Sequence, residues 1–410
     1  MSKYVIIGNG AAAVGCIEGI RSVDNAGKIT VVSEENHAVY GRPLISYYLE
    51  GKTNLAHINY RPDDFYDKMG CDVLYGKKAT AIDNGAKTIL LSDGEKLSYD
   101  SVCVATGSSP FVPPFKGLDT VEKKFSFMTL DDALALEKAI DNTSRVLIVG
   151  AGLIGLKCAE GIRERVAEIT VCDLADRVLS SILDTDCALM MQKRLEENEI
   201  KFLLSDTAES FEGNTAVMKS GKKVDFDVLV LAVGVRANTA LVKDIGGQAN
   251  RGIIVDTKMQ TTIPSVYSAG DCTEGDDMSS GSKKVLAIMP NAYMQGYTAG
   301  VNMAGGSKVF DNAIPMNSIG FFGLHAMTAG SYDGEVYEEK ADGKLKRLFI
   351  RDGLLVGFIL IGYTERAGIY TSLIHEKTPL DSIDFETLKK VATSTVFSAE
   401  NRRKKFGGVV

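Results

Sequence analysis

The chain has 410 residues, 45% of them hydrophobic, enough for two or three domains each with its own core. A diffuse net charge of −7 argues against nucleic acid or an anionic membrane as the main partner, because either needs a basic footprint. The longest apolar run, Leu354 to Gly362, is far too short to cross a bilayer.

Almost at once the sequence enters a strand, KYVIIG, with no signal peptide ahead of it, so a cytoplasmic protein is expected. The following GNGAAAVG places Gly8, Gly10 and Ala13, with Ala12 between them, on the pattern GxGxxG/A. That pattern serves a tight turn, a backbone open to a pyrophosphate and close helix–strand packing, and the helix N-terminus supplies N–H groups to the phosphates. The helix is expected to reach about Ser22, and a second strand, KITVVSE, ends at Glu34, 26 residues beyond Gly8. A carboxylate there suits a ribose diol, with Glu35 competing for the role. Residues 36–52, NHAVYGRPLISYYLEGK, set Arg42–Pro43 between aromatic residues and contain no cysteine. Another apolar strand then ends in Ala105, Thr106 and Gly107, and SSPFVPP (Ser109 to Pro114) breaks the pattern, marking a domain switch.

The opening unit recurs. RVLIVGAGLIGLKCAEGIRERVAEITVCD repeats strand, turn (Gly150, Gly152, Gly155, with Leu153 and Ile154 between), helix, strand and acid, the acid being Asp173. Cys16 and Cys158 each lie eight residues past their first glycine, and EGIR follows in both copies. Duplication and chance both remain open as explanations of EGIR. Two fingerprints in full strand–helix–strand context predict two dinucleotide sites. Asp173 would repel a 2′-phosphate, so the second site is expected to prefer NADH over NADPH, with Arg177, four residues on, placed to soften that preference. Gly234 opens GVRAN. The chain is expected to return to its first domain near Val242–Gly247, where IPSVYSAGDC ends a strand at Gly270–Asp271. A helix is expected from about Pro290–Asn291, with Ala292 next. Beyond Lys308, strand-like KLKRLFIRD and LLVGFILIGY precede helical TERAGIYTSLIHEK and DFETLKKVAT. The boundaries read 1–109, 110–242, 243–307 and 308–410. The basic run Arg402, Arg403, Lys404 and Lys405 is read as a solvated tail.

Seven scattered cysteines (Cys16, Cys71, Cys103, Cys158, Cys172, Cys187 and Cys272) lie mostly in apolar segments, as expected of reduced core thiols. No CxxC or Cys/His cluster offers a metal site.

Taken together, these motifs resemble the FAD-dependent pyridine nucleotide oxidoreductases of glutathione-reductase type, over essentially the whole chain. The resemblance implies an α/β protein with two Rossmann-like dinucleotide-binding domains and a C-terminal α+β interface domain. FAD would lie on the first fingerprint and NAD(H) on the second. On the FAD side it implies roles for Ala79 and for Asp271 of the AGD stretch, which would meet the ribityl chain. The helix starting at Pro290–Asn291 would point its positive end at the flavin. YGRPLIS is similar to the Y-x-R-P-x-L-S stretch of rubredoxin reductases, of the flavin domain of nitrite reductases and of oxygenase-type ferredoxin reductases. It would place Arg42 along the diphosphate and Pro43 against the isoalloxazine. NSIGFFGLHAMTAG and LVGFILIGYTERAG resemble the interface domain of the same group. Phe321 and Phe322 are expected in its core in preference to the flavin edge. Two departures stand out: Lys157 replaces a glutamate that meets nicotinamide or its surroundings, and Tyr47 replaces a lysine after R-P-x-L-S. Glu160 is expected to point elsewhere than Lys157.

Disulfide reductases of this superfamily carry CxxxxC after the second strand, and peroxide- or oxygen-reducing members carry one Cys there. Aligned on the run ending in YLEGK, that Cys position falls on Pro43. None of the seven cysteines has the context of a low-pKa thiolate, though Cys272 comes nearest the flavin, and Asp271 beside it is expected to raise its pKa. The flavin is therefore expected to be the lone redox centre, taking hydride from NADH and passing electrons to a rubredoxin or ferredoxin, or in reverse. The alternatives are an NADH oxidase, or an electron-entry subunit of a larger redox complex.

Overall fold

The computed structural model describes residues 1–398, so the basic run at 402–405 lies outside the described residues. The chain forms two compact units. The first comprises Met1–Ser180, Glu199–Asp277 and Gly281–Ala313; the second comprises Ser181–Asn198, Met278–Ser280 and the chain from Ile314.

Two parallel sheets organise the first unit. In one, β1 (Lys3–Ile7) is central, flanked by β2 (Lys28–Val32) with β3 (Cys71–Leu74) beyond it, and by β4 (Ser101–Val104) with Val266–Ser268 beyond that. Every pairing is parallel, which gives the doubly wound order β3-β2-β1-β4 with Val266–Ser268 last. Both β1 and β2 are buried after their first residue, because a parallel sheet is covered on both faces and needs continuous apolar runs. The other sheet repeats the plan. There β5 (Arg145–Val149) lies between β6 (Glu168–Asp173) and Val228–Leu231, with Ile200–Leu204 and Lys124–Phe125 outside them, again all parallel.

Where the chain switches between these halves, Ser108–Pro110 pairs antiparallel with Val235–Ala237. Asn238 holds the crossing: its side-chain amide donates to the Thr106 carbonyl at 2.9 Å, and the Thr106 hydroxyl donates back to the Asn238 carbonyl at 3.0 Å.

Helix α1 (Ala11–Arg21) is sealed under the helix Met289–Met303. The contact is backbone to backbone. A Cβ on Gly15 or Gly19 would lie 2.2 Å from the carbonyl oxygen of Tyr293 or Tyr297, and one on Gly296 would lie 1.9 Å from that of Ala12. Any side chain at these places would drive the helices apart. Ile17 and Ile20 of α1 are fully buried, each worth roughly 1.5–3 kcal/mol.

The second unit carries a five-stranded antiparallel sheet in the order Met316–Phe321, Leu324–Gly330, Leu354–Ile361, Lys344–Arg351, Glu335–Ala341. The helices Gly368–Glu376 and Phe385–Lys390 follow; these helices and the strands Lys344–Arg351 and Leu354–Ile361 fall on the segments read from the sequence. The strands Met316–Phe321, Leu324–Gly330 and Glu335–Ala341 were not anticipated; the first two form a hairpin that turns on Phe322–Gly323, and only Gly favours the positive φ that both turn residues adopt. Phe321 is fully buried, as expected of a core residue, whereas Phe322, expected in the core as well, lies on the hairpin turn and is only half-buried.

Residues 181–198 pack with this unit although their sequence lies within 110–242. Arg347 explains why. Its guanidinium, largely buried, pairs with Asp184 and Asp186 at the start of the helix Thr185–Glu196 and with Glu338.

Candidate functional site

The two turns are built alike. Gly8 and Gly150 have φ of 114° and 117°, and a Cβ on either would lie 2.1 or 2.2 Å from a carbonyl oxygen, of Ala105 and Ala232 respectively. Only glycine meets both demands. A Cβ on Gly10 or Gly152, by contrast, would have nothing within 4 Å. Each second glycine thus leaves its backbone open to approach. Behind Gly10 starts α1, and behind Gly152 starts α4 (Leu153–Ile162), both without a side-chain cap and without an acid in the first turn. Such helix ends suit a diphosphate.

At the strand ends the copies differ. The amide N–H of Gly8 donates to the Val32 carbonyl and that of Gly150 to the Cys172 carbonyl, each at 2.8 Å, so the counterpart of Asp173 is Ser33. Glu34 is instead two-thirds exposed and pairs with Lys78 at 2.8 Å. Glu35 turns inward: it accepts from Tyr40 at 2.6 Å and pairs with Arg42. The Tyr40 hydroxyl also accepts from the amide of Leu130, the first residue of α3 (Leu130–Ala139), at 2.9 Å. Burial pushes the Tyr40 phenol well up, so it stays a neutral donor. Asn9 joins the turn to this segment, donating to the His37 carbonyl at 3.3 Å and accepting from Tyr66 at 2.6 Å. Sequence reasoning missed Ser33, Tyr40, Asn9 and Tyr66. The signal for Ser33 lay in counting back from the second copy.

Pro43 is the N-cap of α2 (Leu44–Leu49). Asp271 is half-buried; burial pushes its carboxyl up, and the charge of Arg42 pulls it back down. Gly107 and Gly270 adopt φ of 61° and 84°. The amide of Gly270 donates at 2.8 Å to Gln295, a buried side chain of the helix Met289–Met303, which ties the AGD turn to that helix. Pro290 opens the helix, with Asn291 and Ala292 buried behind it. Ala79 is buried at the start of the strand Ala79–Asp83.

On the second copy, the Asp173 carboxylate accepts from the amides of Ala151 and Ala175 at 2.7 and 2.8 Å, which fixes it beside the turn. Arg177 pairs with Asp176 at 2.8 Å. Leu153 and Ile154 are half-buried, and a Cβ on Gly155 would lie 2.0 Å from the Gly150 carbonyl oxygen. Gly234 has a φ of 114°. Lys157 and Glu160 form an ion pair at 2.6 Å, which corrects the expectation that they diverge. Residues three apart on a helix are neighbours.

Six cysteines are buried and Cys71 is half-buried. Burial pushes the Cys71 thiol to about 11 and that of Cys172 to about 12. Cys272 is raised as well, but by burial rather than by Asp271 as expected. Its thiol donates to the Val104 and Ala269 carbonyls at 3.3 and 3.4 Å. Among the described residues no cluster of His, Cys, Asp or Glu suits a metal ion, and no helix is long and apolar enough to cross a membrane.

Two doubly wound sheets, each with an open glycine turn feeding an uncapped helix, define a two-dinucleotide oxidoreductase. Residues 2–296 match the family described as pyridine nucleotide-disulphide oxidoreductase, and the chain belongs to that family. It is 33% identical to the NADH-dependent phenylglyoxylate dehydrogenase subunit epsilon of Aromatoleum evansii, covering 92% of this chain and 93% of that one. It is 32% identical to an NADH oxidase of Methanocaldococcus jannaschii, covering 93% of each. In fold it is similar to the crystal structure of the covalent putidaredoxin reductase–putidaredoxin complex, with a TM-score of 0.87 at 20% identity, covering 100% of this chain and 99% of that one. The protein is an FAD-containing, NAD(H)-dependent oxidoreductase.

Proposed function

We propose that the chain carries electrons from NADH through a lone flavin to a small iron protein of rubredoxin or ferredoxin type. The observation that carries this reading is that Pro43 caps α2 at the position where the resemblance would put a redox cysteine, while every cysteine of this chain is fully or partly buried. No thiol stands ready to share the electrons.

FAD is assigned to the first turn, at Gly8, Gly10 and Gly107, with Arg42 and Asp271 along it, and NADH to the second, at Gly150, Gly152 and Asp173. When bound, FAD accepts hydride and releases electrons singly, chemistry that no side chain supplies. The chain's own share is binding and placement. The uncapped ends of α1 and α4 meet the diphosphates. Asp173, already held by two amides, receives the ribose hydroxyls and disfavours a 2′-phosphate. Arg42, braced by Glu35 and Tyr40, offers positive charge on the FAD side.

A second reading has support of its own. The likeness to a subunit of the phenylglyoxylate enzyme, over nearly the full length of both chains, favours an electron-entry subunit that works inside a larger redox assembly. The test is anaerobic NADH-driven reduction of purified rubredoxin and ferredoxin, compared with turnover in air. The proposal expects fast carrier reduction and slow oxygen consumption. Fast oxygen consumption with no carrier reduction would make the protein an oxidase, and flavin reduction without turnover on either would favour the subunit reading.

A further inference from the structure

The ribbon that joins the two halves is itself built twice. On the first side β4 runs into Ala105, Thr106 and Gly107; on the second, Val228–Leu231 runs into Ala232, Val233 and Gly234, 127 residues later. Each alanine abuts its own glycine turn. A Cβ on Gly8 would lie 2.1 Å from the Ala105 carbonyl oxygen, and one on Gly150 would lie 2.2 Å from that of Ala232. Gly107 and Gly234 then both take positive φ, 61° and 114°. Past them Ser108–Pro110 and Val235–Ala237 pair antiparallel. The bonds that close the ribbon match as well: the Phe111 amide donates to the Gly234 carbonyl and the Asn238 amide to the Gly107 carbonyl, each at 2.9 Å.

The symmetry breaks at one side chain. Phe111 has no polar side-chain atom, and its ring lies under the Arg236 guanidinium at 4.0 Å. Asn238, its counterpart, reaches across with both ends of its amide. The nitrogen donates to the Thr106 carbonyl at 2.9 Å, and the oxygen accepts from the Ser109 hydroxyl at 2.9 Å. A carbonyl can only accept, so it is the NH₂ end that faces Thr106. The Thr106 hydroxyl returns a bond to the Asn238 carbonyl at 3.0 Å. Because a peptide is planar, fixing the Thr106 carbonyl also fixes where the Gly107 N–H points. A residue on the second half's strand thus sets the backbone of a turn in the first half. That turn follows the carboxyl end of β4 and touches Gly8, on the edge where an open parallel sheet takes its ligand.

We infer that Asn238 couples the two dinucleotide sites: it positions the Thr106–Gly107 turn of the first site from the strand that leaves the second, so that a dinucleotide on the second turn tightens the hold on the one in the first. The route is short. Gly234 directly follows the Ala232–Val233 peptide against which Gly150 sits. Three paired residues separate it from Asn238, and Asn238 cannot shift without taking Thr106 along. Coupling between two sites is reciprocal, so either ligand reports it. The inference rests on FAD occupying the first turn and NAD(H) the second.

The test follows FAD release from the FAD-loaded protein after dilution, by the fluorescence gained as FAD leaves, with and without saturating ADP-ribose. ADP-ribose carries the diphosphate and adenosine ribose of NADH but cannot reduce a flavin. Its dissociation constant would be measured by calorimetry, and melting temperatures recorded. In wild type, ADP-ribose should slow FAD release about fivefold, the low end of ordinary coupling between sites. Asn238→Ala should release FAD about tenfold faster, the size expected of two part-buried hydrogen bonds, and ADP-ribose should no longer slow it although it still binds. Asn238→Asp keeps an acceptor for Ser109 but loses the donor to Thr106, so it should behave like Asn238→Ala, whereas Ser109→Ala should stay close to wild type. Faster release with the ADP-ribose effect intact would make Asn238 a local prop and overturn the inference. Release within twofold of wild type in Asn238→Ala would overturn it too, as would a wild type that binds ADP-ribose without holding FAD longer. Should Asn238→Ala fail to fold, Asn238→Asp carries the same comparison. A wild-type protein that binds no ADP-ribose would instead overturn the reading of the second turn on which this rests.

Discussion

The two dinucleotide halves share a turn to within 3° in the first glycine's φ, yet they are closed in different ways. In the first, α1 is locked under the helix Met289–Met303 by facing glycines, and Gln295 pins the AGD turn. In the second, among the described residues α4 meets only the short α2 by such a contact, at Gly161, and Leu153 and Ile154 remain half-buried. The crossovers differ too. That between β2 and β3 stays in the first unit, whereas that after β6 packs with the C-terminal sheet through Arg347. If FAD occupies the first turn and NADH the second, as proposed, the same turn would serve a cofactor that stays and a cosubstrate that comes and goes, the difference lying in what packs over the helix behind it.

Breaking the seal should have the largest effect. Gly296→Val forces a side chain into the Ala12 backbone and should cost about 3 kcal/mol or more. The purified protein should contain little FAD and melt early, as read by visible absorbance and a thermal melt. Next comes the anchor of the second crossover. Arg347→Met leaves Asp184 and Asp186 without their cation and should destabilise the second unit by about 1–3 kcal/mol, given that the acids are partly exposed. The pH dependence has a definite sign. Burial pushes Asp184 up, but the Cys187 amide and Arg347 outweigh it and hold the carboxyl below its usual value. Its contribution is therefore present above about pH 4 and is lost as pH falls through the depressed value. Acid melts should show that loss in wild type and much less of it in Arg347→Met.

The smaller effects fall on the open half. Gly152→Ala puts its Cβ into space with nothing within 4 Å, so the melting temperature should not move, while NADH affinity should drop about tenfold as the diphosphate loses its approach. An unchanged affinity would place the NADH diphosphate elsewhere. Asp173→Ala should narrow the preference for NADH over NADPH by up to about tenfold, measured as the ratio of kcat/KM values. Arg177, drawn to Asp176 at 2.8 Å, limits how far NADPH gains.

Much of this was legible in the sequence because repetition and turn chemistry are local signals. Gly8, Gly10, Gly150 and Gly152 announce their turns, and Asp342–Gly343 and Asp352–Gly353 bound strands of the C-terminal sheet as positive-φ pairs should. The Phe322–Gly323 turn carries no such signal, because a phenylalanine is held at positive φ by the hairpin it belongs to. Register was the other limit. Glu34 looked like the strand-end acid, but the span from Gly8 to its strand end is two residues longer than the span from Gly150, so Ser33 takes the place of Asp173 and Glu35 turns to Arg42. The Lys157–Glu160 pair was readable from helical spacing alone, whereas the Tyr47 ring beside it depends on how α2 and α4 cross, which no local pattern encodes.

The central claim is that the flavin is the lone redox centre, and anaerobic titration of the FAD-loaded protein with NADH tests it most directly. The account predicts that visible flavin absorbance bleaches fully at about one NADH per flavin, the stoichiometry of a single two-electron centre. A requirement for two would mean that a pair of the buried cysteines takes up electrons, and would contradict the reading of Pro43.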